Sequence, residues 1–348
     1  MQIDSALAAC LDEVRGRYSA SSAEPIVEEV IRATLPKGGR IRPLLCCLGY
    51  AAVRGENDAA DPRIVKAAAS LELLHSFAII HDDVMDGSPM RRGEPSIHRR
   101  LADERLAAGG TDAELHGVSL AILAGDLALV ISDLLFAESG FPQEVLVQAY
   151  GPLSAMRLDA IAGQYLDLTH SGAAGEDVEL TSRIARLKTG SYSVEGPLLV
   201  GATLGGGSVE AKEALQAYGR PLGEAFQLAD DLLGLFGDPA ATGKDAENDI
   251  RRGKPTALIA RAMAVGAPEC RELIKSIWGN PRTTDMDLHA LRTAIRDSGA
   301  VDAVASEISR LISEATHALD DAGDGGLSKS PCFMLGELAG AVSHRAKI

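Results

Sequence analysis

The feature that most constrains this chain is a period. Apolar residues recur at spacings of three and four in "SLELLHSFAII", "VLVQAYGPLSAMRLDAIAGQYLDL", "LTSRIARLKTGSYSVEGPLLVGATL", "AKEALQAYGRPLGEAFQLADDLLGLF" and "AVDAVASEISRLISEATHALDDA". That repeat belongs to an α-helix and not to a strand. Several of these runs are apolar around most of their circumference, which suits the central helices of a bundle. No segment alternates convincingly, and no strand–helix–strand rhythm is visible. Aromatic residues make up only 4% of the chain while Ala and Leu abound, which favours helix over strand. The breaks between runs are polar and rich in Gly, Pro and Asp, as in "DGSPMRRGEPS" and "GDPAATGKDAENDIRRGKP". None of them reads as an interdomain linker. The expectation is an all-α fold, a single-domain helical bundle over residues 1–348.

The formal net charge of −15 argues against general affinity for nucleic acid or an anionic membrane. Any phosphate site must therefore be a local cluster of Lys and Arg. The first residues, "MQIDSALAACLDEVRGRYSA", carry no basic region ahead of an apolar stretch and do not read as a signal peptide. The most apolar window, "VSLAILAGDLALVISDLLF", is interrupted by Asp126 and Asp133, so no membrane span is expected. Cys10, Cys46, Cys47, Cys270 and Cys332 contain no Cys-x-x-Cys pair. They read as reduced thiols in a cytoplasmic protein without structural zinc.

The run "HSFAIIHDDVMD" ends in Asp82, Asp83 and Asp86. With 68–86 helical, each residue turns the chain by about 100°, so Asp82 and Asp86 lie within about 40° of each other with Asp83 on the flank. Carboxylates gathered on one face repel unless a cation sits between them. Their oxygens suit Mg²⁺, which takes one or two carboxylates together with phosphate oxygens and water. His75 shares the face two turns lower. A second apolar run, "EAFQLADDLLGLFGD", ends in Asp230 and Asp231, with Gln227 on the same side and Gly234 where a third acid would stand. Two such helices facing each other would form an acidic cleft. A single pair would be a solvated helix end. Two pairs, each after an apolar helix and before a basic loop, point to metal binding. The alternating acids of a helix–loop–helix calcium site are not found.

Cations bracket these acids. They are Arg40 and Arg42 in "LPKGGRIRP", Arg91 and Arg92, Lys188 in "LKTGSYS", Lys244 in "TGKD" and Lys254 in "RGKPT". Arginine makes forked contacts to phosphate and lysine acts as a point charge. Metal ions and such cations together would clamp a diphosphate. No Gly-x-x-x-x-Gly-Lys-Ser/Thr loop is present, so the pattern is not that of a nucleotide P-loop.

In order, "GGRIRP", "ELLHSFAIIHDDVMD", "RRGEPSIH", "AGDLAL", "GQYLDL", "KTGS", "FQLADDLLG", "TGK" and "GKPT" resemble the polyprenyl diphosphate synthase family over about residues 36 to 256. The resemblance implies an all-α bundle around a deep central cavity, usually a homodimer, that joins isopentenyl diphosphate to an allylic prenyl diphosphate. It implies that several Mg²⁺ ions are held by Asp82 and Asp86 from one wall and by Asp230 from the other, with Asp83 and Asp231 in support. Arg91, Lys188, Thr189, Gln227, Lys244 and Lys254 would surround the allylic substrate. Arg42, His75 and Arg92 would hold isopentenyl diphosphate. Two positions depart from the family pattern. Where the family commonly has lysine in Gly-Gly-Lys-Arg-x-Arg-Pro, this chain has Gly39, with Lys37 or Arg40 available in its place. Gly234 replaces the last acid of the second motif.

The reaction so implied needs no enzyme nucleophile. Positive charge neutralises the departing diphosphate, the π-bond of isopentenyl diphosphate attacks the allylic cation, and a proton leaves with the released diphosphate. Oxygens of Thr189 and Gln227 can stabilise the cation, and water must be kept out. The tail should grow down an apolar well beneath the first acidic motif. Phe77 and Ala78, five and four residues before Asp82, are expected to set its depth, and an aromatic there resembles geranylgeranyl diphosphate synthases. Two other readings share part of the pattern. A class I terpene cyclase would need neither "GGRIRP" nor His75. A non-catalytic, regulatory subunit of a heteromeric synthase would accommodate Gly39 and Gly234.

Overall fold

The computed structural model describes residues 2–35, 38–55, 60–172, 174–237, 246–321 and 326–345, with the side chains of 246–248 outside that description. The order is α1 (Gln2–Tyr18), α2 (Glu24–Thr34), α3 (Ile41–Arg54), α4 (Pro62–Met85), a short hairpin, α5 (Ile97–Ala107), α6 (Ala113–Ala137), α7 (Gln143–His170) and α8 (Val178–Ala185). A π-helix (Arg186–Glu195) leads straight into α9 (Gly196–Leu204) and then α10 (Val209–Phe236). The rest comprises α11 (Ala246–Arg252), α12 (Ala257–Val265), α13 (Pro268–Ile277), α14 (Asp285–Asp297), α15 (Ala300–Asp321) and α16 (Lys329–Arg345). The all-α expectation holds.

The first acidic helix starts six residues earlier than its apolar period suggested. Asp61 caps α4 by accepting from the Arg63 backbone N–H at 2.8 Å, and Pro62 fills the first turn. α4 is buried around nearly its whole girth, lying along α6 with α3 and α1 on its other sides. α3 crosses α9 backbone to backbone. A Cβ on Gly49 would sit 2.2 Å from the Leu198 carbonyl oxygen, and one on Gly201 would sit 1.9 Å from that of Cys46. Any larger residue at either position would force the two helices apart.

Two departures from the sequence reading shape the site. The predicted loop after α4 contains a two-stranded hairpin, with Met90 opposite Pro95 and Arg91 opposite Glu94. Arg92 and Gly93 form its two-residue turn, both at positive φ (54° and 81°). The run "LTSRIARLKTGSYSVEGPLLVGATL" is not one α-helix, since its middle ten residues form the π-helix. Such widened turns recur at functional sites. Here Gly190 meets Gly223 of α10 so closely that a Cβ on Gly223 would lie 2.6 Å from the Gly190 Cα.

By length and composition alone, α4 and α6 could each cross a membrane. α4 spends its apolar surface on the core, whereas α6 leaves Leu115, Leu123 and Val130 exposed. The two acids that interrupt α6 meet partners in the bundle. Asp133 pairs with Arg157 of α7 at 2.6 Å, and Asp126 lies 3.6 Å from His81 of α4.

Candidate active site

One cavity of about 530 Å³ is lined by Asp82 from α4 and by Gln227, Asp230, Asp231 and Gly234 from α10. The two acid-tipped helices therefore face each other across a shared space. Lys188 and Thr189 of the π-helix close one side, and Lys254 enters from the loop after α11.

The three acids at the end of α4 have separate fates. Asp82 opens to the cavity and accepts from Lys188 Nζ at 3.1 Å, with Arg91 3.7 Å away. Burial pushes its carboxyl up, but Lys188, Lys254 and Arg91 outweigh that and hold it below the usual range. Asp83 is buried and anchors Arg91, whose Nε donates to Oδ1 at 2.9 Å and whose Nη2 reaches the same oxygen. Burial wins at Asp83 and raises its carboxyl despite that partner. Asp86 caps the C-terminus of α4 and is also buried. Lys254 Nζ lies 2.6 Å from its Oδ2 and Arg252 lies 3.5 Å from Oδ1. Arg252 also donates to the Met85 carbonyl at 3.1 Å, so cations gather where the helix leaves its last carbonyls bare.

On the facing wall, the Gln227 side-chain amide donates to Asp231 Oδ1 at 2.7 Å. A Cβ on Gly234 would meet nothing within 4 Å, so the missing acid leaves open room. Lys188 is shared between Asp82 and Asp167 of α7, to which it also donates a hydrogen bond. Burial lowers its ammonium, but the two carboxylates outweigh burial and raise it, so it stays charged.

Arg42, His75, Arg91 and Arg92 line the same cavity. The Arg42 guanidinium lies 4.4 Å over the Tyr192 ring and donates to Ser193 Oγ at 2.6 Å. Its buried Nε has no hydrogen-bond partner. His75 Nδ1 is 2.9 Å from the Tyr192 hydroxyl. Burial, then Arg42, Arg92 and Arg91, push His75 well below the usual histidine value, so it is uncharged at neutral pH. In the tautomer that accepts from the Tyr192 hydroxyl at Nδ1, Nε2 carries the hydrogen and is a donor.

Several expected residues lie elsewhere. Arg40 does not line the cavity. Its guanidinium ties Asp4 of α1 (3.0 Å) and buried Glu72 of α4 (2.7 Å) to the Thr34 carbonyl. Both it and Arg92 come within 4 Å of the point where a Cβ on Gly38 would sit. Gly39 faces nothing within 4 Å, and Lys37 and Lys244 lie outside the described residues. Phe77 and Ala78 do not line this cavity either. Phe77 packs between two apolar clusters, edge-on to His81 at 4.8 Å between centroids, and Ala78 packs against one of them. The sequence reading missed Asp167, Asp249, Arg252, Trp278 and Arg345. Asp167 stands in "GQYLDL", four residues after Gly163 and so on the same helix face, and that spacing could have found it. Trp278 and Arg345 carry no local signal.

The donor set fits divalent cations. The buried Asp86 Oδ2 has no aligned hydrogen-bond donor, although the Lys254 ammonium is close. Among the described residues no three acidic, histidine or cysteine side chains already form a cage. Each wall instead offers one or two carboxylates, which is how Mg²⁺ binds when substrate phosphates complete its shell.

The chain matches the family model described as Polyprenyl synthetase over residues 24–295. It is 34% identical over 268 residues to the geranylfarnesyl diphosphate synthase of Aeropyrum pernix, covering 76% of this chain and 77% of that one. To the geranylgeranyl diphosphate synthase of Sulfolobus acidocaldarius it is 28% identical, covering 77% and 79%. The crystal structure of geranylgeranyl pyrophosphate synthase from Corynebacterium glutamicum, complexed with isoprenyl diphosphate and magnesium, superposes with a TM-score of 0.92 at 36% identity, covering 99% of this chain and 97% of that one. These relatives are synthases, which favours catalysis over a regulatory or cyclase role. A cavity with two acidic walls and a ring of cations, in a bundle with these relatives, makes this chain a member of the polyprenyl synthetase family and an enzyme that transfers prenyl groups.

Proposed function

We propose that this protein condenses isopentenyl diphosphate with allylic diphosphates in a Mg²⁺-dependent reaction, makes geranylgeranyl diphosphate, and works as a cytoplasmic homodimer. The observation that carries the reading is the single cavity into which Asp82 and Asp230 both open, ringed by Lys188, Lys254, Arg91 and Arg42. Asp82, Asp86 and Asp230 would hold Mg²⁺, and when bound Mg²⁺ supplies the positive charge that stabilises a departing diphosphate.

The chain's own residues do the rest. Lys188, Lys254 and Arg91 bind and orient the allylic diphosphate. Arg42, Arg92 and the Nε2–H of His75 bind the second diphosphate, and neutral His75 contributes a donor without adding charge. Ionisation breaks the allylic carbon–oxygen bond and sends its electron pair to the diphosphate. The Thr189 hydroxyl and Gln227 carbonyl oxygens face the cation, because the Gln227 amide nitrogen is already committed to Asp231. The isopentenyl π-bond closes the new carbon–carbon bond, and the proton passes to the released diphosphate. Buried apolar helices around the site limit the water that would quench the cation.

Large apolar side chains left exposed on α6 (Leu115, Leu123 and Val130) and on α7 (Leu158 and Ile161) support a second copy as their cover. The odd number of cysteines without a Cys-x-x-Cys pair supports the cytoplasmic part of this reading. The decisive experiment incubates the purified chain with MgCl₂, isopentenyl diphosphate and each allylic diphosphate in turn, then sizes the products. Elongation by the chain alone is expected. No turnover without a second protein would return the regulatory-subunit reading, and a cyclised hydrocarbon would return the cyclase.

We assign product length to α4, although Phe77 packs in the apolar clusters and not on the wall of the described cavity. Phe77 is the bulky residue just below the acids, and its ring is braced by His81. Phe77→Ala empties that volume and is expected to give products at least one isoprene unit longer, at a stability cost of up to about 3 kcal/mol because the ring is only partly buried. Chromatography showing the wild-type product distribution would reject Phe77 as the floor.

A further inference from the structure

Lys254 is held by an arrangement that none of the acidic or basic motifs contains. Trp278, the chain's only tryptophan, follows the last turn of α13, with its backbone N–H donating to the Ile274 carbonyl at 2.8 Å. Its indole N–H donates to the Lys254 carbonyl at 3.2 Å, its side chain is buried, and it lines the substrate cavity. Behind it three backbones interlock. The Gly279 N–H donates to the Ile250 carbonyl at 2.8 Å, and the Gly172 N–H donates to the Gly253 carbonyl at 3.0 Å. A Cβ on Gly253 would lie 2.9 Å from the Gly172 carbonyl carbon, and one on Gly279 would lie 2.4 Å from its oxygen. All three glycines have positive φ. The loop carrying Lys254 is thus stapled to the end of α7 and to the end of α13. Its ammonium is left 2.6 Å from Asp86 and 3.3 Å from Asp249.

We propose that Trp278 is the positioning residue for Lys254, and that its indole reports occupancy of the allylic diphosphate subsite. The physical argument is rigidity. A lysine ammonium is a point charge on a flexible stem, so its aim depends on how firmly its own backbone is fixed. The Lys254 carbonyl takes two hydrogen bonds, one from the Thr256 N–H at 2.9 Å and one from the indole. Only the second comes from another element and crosses to the cavity wall. A diphosphate that draws Lys254 off Asp86 would change the field at the indole. The inference rests on the reading that Lys254 binds the allylic diphosphate.

The test uses the whole protein with inorganic pyrophosphate and MgCl₂. In the wild type, tryptophan emission should change saturably, with the dissociation constant found by calorimetry. Trp278→Phe keeps an aromatic ring and loses the donor. It should weaken pyrophosphate binding about three- to tenfold, the usual worth of one hydrogen bond. The KM for the allylic diphosphate should rise by the same factor while the KM for isopentenyl diphosphate stays unchanged. Emission that does not move while calorimetry records binding would overturn the proposal, with no variant required. So would wild-type affinity in Trp278→Phe, or a rise in both KM values together with a lower melting temperature. Lys254→Met separates the two levels. If it binds pyrophosphate as tightly as the wild type, the assigned role of Lys254 fails and the inference falls with it. If it binds weakly while Trp278→Phe does not, only the positioning role fails.

Discussion

Asp82→Asn is expected to lower kcat by about two to three orders of magnitude while the protein still folds, because it removes a charge that acts on the transition state. Of the three acids ending α4, only Asp82 lines the cavity. Asp83 is engaged by Arg91, and Asp86 is buried at the helix end beside Lys254 and Arg252, with its Oδ2 left for a cation. Asparagine is nearly the same size and its carbonyl can still accept from Lys188, which also keeps Asp167 as a partner. The damage therefore falls on chemistry more than on folding. The ionised Asp82 does contribute some stability. Its folded carboxyl is held below the ordinary value near 3.8, so that contribution is present above the ordinary value and disappears as pH falls through the folded one. The variant should lose this part of the acid sensitivity. Steady-state assays at saturating Mg²⁺ and both substrates, beside thermal melts, check the prediction. A kcat within tenfold of wild type would remove Asp82 from the metal-binding wall. Asp83→Asn is the informative contrast. It leaves Asp82 in place and loosens Arg91 on the cavity wall, so KM for the allylic substrate should rise more than kcat falls.

Gly163→Ala is expected to lower the melting temperature by several degrees and to weaken catalysis at the same time. Its Cβ would lie 2.3 Å from the Lys188 backbone nitrogen and 2.6 Å from the Lys188 Cα. Those atoms belong to the π-helix, which α10 presses from another side at Gly190 and Gly223, so the strain has no easy outlet. Overpacking of this kind costs about 1–3 kcal/mol. Lys188 is the displaced residue, so pyrophosphate affinity should fall with stability. Gly340→Ala is the control. It lies in α16 with nothing within 4 Å of its would-be Cβ, and alanine there should stabilise by up to about 1 kcal/mol. Equal melting temperatures for Gly163→Ala and wild type would mean that α7 and the π-helix yield to each other, and that Lys188 is less rigidly placed than the close contact implies.

The helical period fixed the all-α class, the run of α4 into its acids and the run of α10 into its own. Spacing put His75, Asp82 and Asp86 on one side of α4, because a helix converts sequence distance into angle without help from the rest of the molecule. The same logic failed wherever a partner decides the outcome. Arg91 and Arg92 are adjacent in sequence, yet Arg91 ends a strand and reaches Asp83, while Arg92 opens the hairpin turn and lies near Glu72 and Arg40. Arg40 reads as a phosphate ligand and is a tether, since buried Glu72 and Asp4 claim it first.

Residue order alone thus set which side chains could carry charge and on which helix face they would stand. Packing set which of those charges stay open to a ligand and which are taken up by neighbours. It also brought Asp167, Asp249, Trp278 and Arg345 to the cavity from distant segments. The physical reason is range. Backbone geometry acts over a few residues, while burial, ion pairing and close backbone contact depend on elements that meet only after the chain has packed.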